Sequence, residues 1–272
     1  MHVVPEATRR PTPLRGFAGT ALLTTLAAGQ LLFLAYVLGS YGRSALRGDP
    51  AAWAHFSARG WAPGDVAGNS AMAAHVLLAA GVLLAGTLQL LPAVRRHVPA
   101  LHRWSGRVYL TGCLVAATSG LWLVWVRGTV GDRAQHVAIS GNALLLGLCA
   151  VMAWRTARAR QFAVHRVWAL RTYLVAGGVF YFRIVLALWL LVFRRPVGFD
   201  PTTFSGPFLT TLAFGVYVVG PLLLFEGFRR AAAQPGRVAR AVMTVVTGVL
   251  TLVAGLGALA AVLVLWLPKL RG

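Results

Sequence analysis

Four histidines stand out by type and spacing: His75, His102, His136 and His165. Imidazole accepts protons near neutral pH and ligates iron and other transition metals. Two of the four open matching stretches, His102-Arg103-Trp104-Ser105-Gly106-Arg107-Val108-Tyr109-Leu110 and His165-Arg166-Val167-Trp168-Ala169-Leu170-Arg171-Thr172-Tyr173-Leu174. With one residue inserted, His-Arg, Trp, Arg and Tyr-Leu recur in order, and the histidines are 63 positions apart. The other two, His75 and His136, are 61 apart. Arg183 is a fifth candidate, because it interrupts a long apolar run. An arginine in hydrocarbon costs roughly 2.5–3.5 kcal/mol on the gentlest insertion scale, so it requires a partner. No acidic residue is expected at its depth. Backbone carbonyls, water, a haem propionate, a quinone oxygen or a lipid phosphate would serve.

The elements that must position these residues are apolar helices. Of 272 residues 58% are hydrophobic and 12% charged, about half the charge of a soluble domain. Apolar runs fall at 17–39, 70–92, 108–126, 136–154, 167–193, 207–225 and 241–267. Each is close to the roughly 20 residues that cross a bilayer as a helix. None is short and alternating enough for a barrel strand, and the first is too long for a signal-peptide core. The fold class expected is an all-α membrane protein of about seven transmembrane helices, a single integral domain over 1–272.

The net charge of +20 comes from 25 arginines and one lysine against six acids. These cations sit in short clusters between apolar runs, which argues for a membrane protein and against nucleic acid. Sixteen arginines lie in the N-terminal tail and the second, fourth and sixth loops; nine basic residues lie on the other side. The positive-inside rule then predicts the N-terminus in and the C-terminus out, with anionic lipids at the cytoplasmic face. Tryptophans near both boundaries fit the same frame. The one sizeable loop, 40–69, is expected outside as an ordered connector. Cys113, Cys149, Gln30, Gln89 and Asn142 read as packing or helix-bridging residues.

The matching stretches suggest a tandem helix-pair repeat at 70–193: histidine, helix, basic loop, His-Arg, helix. Parallel repeats are related by an axis along the membrane normal. That axis sets the second helix opposite the fourth and the third opposite the fifth. His75 would oppose His136 near the outer side, and His102 would oppose His165 near the inner side. Two such pairs can hold two haems b, with Arg183 near a propionate. The pattern resembles the di-haem transmembrane cytochromes b of the ascorbate-reducible type. That resemblance implies transmembrane electron transfer with a quinone or redox partner.

A second resemblance is carried by Leu101-His102-Arg103-Trp104-Ser105-Gly106-Arg107-Val108-Tyr109, by His165-Arg166-Val167-Trp168-Ala169-Leu170-Arg171-Thr172, by Phe182-Arg183 and by His75. Over about residues 70–190 the chain resembles an uncharacterised bacterial membrane family, domain of unknown function 2306. It implies a polytopic protein of the bacterial inner membrane and no particular chemistry. The rival reading is a protein without a redox centre that binds an anionic lipid, quinone or small amphiphile between the arginines, or an assembly partner of another membrane complex. No Walker loop, dinucleotide fingerprint, His-Glu-x-x-His or nucleophile elbow is present to assign an enzyme class.

Overall fold

The computed structural model describes residues 17–57, 59–233 and 236–271. Among them the chain is helical, with no strand beyond a single bridge between Asp200 and Ser205. Helix α1 (Phe17–Val37) runs through a π turn, Leu38–Gly42, and on to Leu46. Helix α2 (Val66–Leu90) is followed by a short helix, Pro92–His97, and by α3 (Pro99–Trp122), which ends in a π turn, Leu123–Gly128. Helix α4 (Arg133–Arg158) precedes α5 (Phe162–Ala176) and α6 (Gly178–Phe193). Helix α7 comprises Pro207–Ala213, a π turn Phe214–Val219, and Gly220–Ala233. Helix α8 comprises Arg237–Ala260, a π turn Ala261–Trp266, and Leu267–Arg271.

Six of these helices are long and apolar enough to cross a membrane, and the α5–α6 pair, bent by 46°, makes a seventh. Their outward surfaces are apolar, with Leu31, Leu144, Val245, Leu252 and Leu256 exposed. Such surfaces suit lipid, and would be unusual as a continuous coat in water.

Helix ends differ from the apolar runs for physical reasons. Hydropathy marks the part of a helix in hydrocarbon, whereas caps and prolines set where it begins. Pro99 opens α3, since a first-turn residue needs no N–H donor. The third span therefore starts nine residues before position 108. His102, Arg103 and Arg107 lie on its first turns and not in a loop. Asp65 and Asp132 cap α2 and α4 by accepting from the N–H groups of Gly68 and Gln135, both at 2.8 Å. The first span continues to Leu46, so the loop expected from position 40 is shorter.

The fifth span is not one straight rod. It breaks at Gly177, where α5 and α6 meet. At Gly178 a Cβ would come within 2.8 Å of the Tyr217 ring and 3.0 Å of the Asn142 side-chain oxygen. With its amide turned to satisfy both neighbours, Asn142 donates to the carbonyls of Val175 (3.2 Å) and Tyr217 (3.1 Å). One side chain of α4 thus serves the broken end of α5 and the π turn of α7. Asn142 bridges helices as its sequence setting suggested.

Three buried clusters hold the bundle. One joins α2, α3, α4 and α5 through Val82, Tyr109, Cys113, Leu146, Cys149 and Val175. A second joins α1, α6 and α8 around Phe33, Phe180, Ile184 and Ala258. The third joins α4, α6 and α7 around Ala138, Phe182 and Leu209.

Candidate functional site

The two His-Arg segments take similar places on their helices. His102 is the fourth residue of α3 and His165 the fourth of α5. Three residues beyond each tryptophan an arginine turns back over its ring: Arg107 over Trp104 at 4.8 Å and Arg171 over Trp168 at 4.3 Å. Each is a cation–π contact on an i, i+3 spacing. His102 and His165 lie within electrostatic reach of one another. His165 Nδ1 meets the carbonyl of Ala153 at 2.9 Å, an arrangement that fixes the tautomer and leaves Nε2 free. His102 Nδ1 is buried without a hydrogen-bond partner.

The other two histidines are occupied separately. His75 Nδ1 pairs with the hydroxyl of Ser119 at 2.8 Å, and Gly120 leaves room beside its ring. His136 meets the carbonyl of Val130 at 3.4 Å and the edge of Trp125, with ring centroids 5.9 Å apart. Both hold to α3 or the segment just after it, and no hydrogen bond or ring pairing joins them. The volume enclosed by α2–α5 is filled by Tyr109, Leu110, Cys113, Leu146, Cys149 and Ala150. The Tyr109 ring lies so close to Gly86 that a Cβ there would come within 2.9 Å. Apolar side chains thus pack the interior of the four helices, where two haems would have to sit.

Arg183 lies on α6, half-buried, with its guanidinium carbon 5.0 Å from the centroid of Phe33. Its Nη1 donates to the carbonyl of Val179 at 3.2 Å. Among the described residues it forms no ion pair with an acid. A backbone carbonyl is thus its one hydrogen-bonding partner.

Sequence reading missed the best-paired charges. At the arginine-rich end of the bundle, Arg171 of α5 pairs with Glu226 of α7 through Nε (2.9 Å) and Nη2. Arg229 takes the other carboxylate oxygen at 2.7 Å. The three side chains carry one net positive charge. An apolar cleft of about 260 Å³ opens between α1, α5, α6, α7 and α8. Phe225 and Phe228, either side of Glu226, line it with Leu174, Gly215, Pro221 and Leu250. Gly215 and Val216 of the α7 π turn are in its wall. The pairing joins residues 55 positions apart, so no local motif could show it.

At the opposite end the connector is clasped to α3. The Arg127 side chain is only 6% exposed and is fully engaged. It reaches Asp65 (3.1 Å), Asn69 Oδ1 (2.7 Å) and the carbonyl of Arg59 (2.7 Å). The N–H of Gly68 and then Arg127 hold the Asp65 carboxyl below its ordinary range. The N–H of Gln135 and the Thr210 hydroxyl do the same for Asp132. These contacts tie the connector to the end of α3.

No curated protein and no solved structure matches the chain. The profile of the DUF2306 family, described as predicted membrane protein, matches residues 72–219. That stretch begins in α2, ends in the π turn of α7, and includes all four histidines and Arg183. It covers more than half the chain, and the chain is a polytopic membrane protein belonging to the DUF2306 family.

Proposed function

We propose that the protein binds an anionic amphiphile of the bilayer. The hydrocarbon chain lies in the cleft between α1, α5, α6, α7 and α8, and the head lies at Arg171, Glu226 and Arg229. The observation that carries this reading is that one helix, α7, gives Phe225 and Phe228 to the apolar cleft and Glu226 and Arg229 to an ion cluster of net charge +1. Lipid tails are as apolar as the cleft walls, so the cleft alone cannot select an occupant from the membrane. Selection must come from the head. Arg229 is 44% exposed and retains free guanidinium donors beyond Glu226. A planar guanidinium suits phosphate or carboxylate oxygens. By the positive-inside rule this end faces the cytoplasm, where anionic lipids concentrate.

Native mass spectrometry tests the reading directly. Purified protein is titrated with dioleoyl phosphatidylglycerol or dioleoyl phosphatidylcholine. The Cβ of a residue at 215 would meet open space, so Gly215→Leu fills the cleft without a clash. Gly215→Leu and Arg229→Gln should each weaken phosphatidylglycerol retention several-fold and leave phosphatidylcholine unchanged. Equal retention of both lipids by all three proteins would overturn the proposal. Retention of a neutral quinone in place of phosphatidylglycerol would also overturn it.

A further inference from the structure

A second group of unmatched donors lies around the ring of Phe33. Arg183 stands over one side of that ring. Trp266 of α8 stacks on it with centroids 5.4 Å apart, and on Tyr36 at 5.7 Å. Trp266 is 3% exposed, and its indole N–H is buried without an acceptor. Gln30 lies one turn before Phe33 on α1, is 2% exposed, and its side-chain N–H₂ is also without an acceptor. Lys269, three residues after Trp266, is within electrostatic reach of Arg183 and donates to the carbonyl of Phe56 at 3.0 Å. The other ionisable neighbours within that reach are the phenols of Tyr36, Tyr41 and Tyr217.

The imbalance is one-sided. Two cations and two buried N–H groups share one locality, and none of the ion pairs among the described residues involves either cation. Buried donors are ordinarily matched, and unmatched ones call for an explanation. Embedded arginine has the same requirement, more strongly. A group with several acceptor oxygens and negative charge would satisfy all of them together. A guanidinium fork with a free edge is suited to such a group.

We propose that Arg183, Trp266 and Gln30 form a phosphoryl-anion site between α1, α6 and α8, built from residues that do not line the cleft. The phosphoryl group belongs either to a phospholipid head or to free phosphate. Arg183 supplies charge and a bidentate edge, while the indole and amide N–H groups supply neutral donors. Lys269 adds long-range attraction. The site is separate from the cleft and does not depend on the amphiphile reading.

The test uses full-length protein labelled with 5-fluorotryptophan and observed by fluorine NMR. Of the resonances from nine tryptophans, the one missing from Trp266→Phe is that of Trp266. Dioleoyl phosphatidylglycerol and inorganic phosphate are titrated separately. The Trp266 resonance should move, and Arg183→Gln should raise the half-saturating concentration at least tenfold. Arg183→Lys, which keeps the charge, should fall between the two and guards against a folding defect in the glutamine variant. Movement with the lipid alone identifies a headgroup as the source, and movement with both probes identifies the free anion. A resonance unmoved by either probe, or moved equally in Arg183→Gln, overturns the site.

Discussion

Arg171 of α5 and Glu226 of α7 are ion-paired across the arginine-rich end of the bundle, with side chains 18% and 24% exposed. Arg229 is attached to the same carboxylate. Removing the carboxylate leaves a partly buried guanidinium without its partner. Breaking a fully buried pair costs about 3–5 kcal/mol, and exposed pairs are worth about 0–1 kcal/mol. Glu226→Gln should therefore destabilise the protein by about 1–3 kcal/mol, read as a lower Tm in detergent. The double change Arg171→Leu with Glu226→Leu should recover much of that loss. A Tm equal to wild type in the single variant would contradict the role given to the pair.

Acid should loosen the opposite end. The carboxyls of Asp65 and Asp132 are held below their ordinary value of 3.8, first by the capping N–H groups and next by Arg127 or Thr210. A depressed folded pKa means stabilisation that is complete above the ordinary value and lost as pH falls through the lower one. The Tm should be insensitive to these groups above about pH 4 and fall below it. Asp65→Asn keeps a good cap but loses the ion pair with Arg127. Its Tm should be lower at pH 7 and show a smaller drop in acid. An acid profile identical to wild type would refute the assignment.

Colour separates the amphiphile reading from the two-haem reading. Given the filled volume between α2 and α5, protein from haem-replete cells should show no Soret absorption. His75→Ala should do no more than release Ser119, at a cost of about 1 kcal/mol. A spectrum typical of bis-imidazole iron, lost in His102→Ala and His165→Ala alike, would reinstate haem at the inner pair.

Orientation is tested by fusion reporters. A reporter after Arg240 should read cytoplasm and one after Gly272 should read exterior, from the excess of arginine on the even-numbered loops. The reverse pattern would invert the assignment of Arg171, Glu226 and Arg229 to the cytoplasmic leaflet.

Much of the architecture was legible because membrane helices announce themselves by apolar length. All seven runs correspond to helices, and the break in the fifth falls at the adjacent glycines 177 and 178. The helix starts were less legible, because Pro99 and Asp65 act through the backbone and lie outside hydrocarbon. The π turns left no hydropathy signal, since one extra apolar residue in an apolar run looks like any other. Arg183 was found because a charge in such a run is conspicuous. The Arg127 clasp joins residues 62 positions apart, and nothing near either residue foretells it. Trp266 and Gln30 were unremarkable as letters. Their unmatched donors exist only where α1 and α8 press together.

The π turn at Leu123–Gly128 has a consequence for insertions and deletions. Such a turn holds one residue more than an α-helix needs, so it records a single-residue insertion that the helix absorbs. Deleting one residue between Leu123 and Val126 would let the turn rewind as α-helix. The residues after it would keep their faces, because the residue lost is the one the turn had absorbed. Arg127 would still reach Asp65, Asn69 and the carbonyl of Arg59. A frame-preserving loss of one codon in this turn should therefore leave the clasp closed, whereas the same loss in the middle of α2, which has no π turn to absorb it, should rotate the residues beyond it by about 100° about the helix axis.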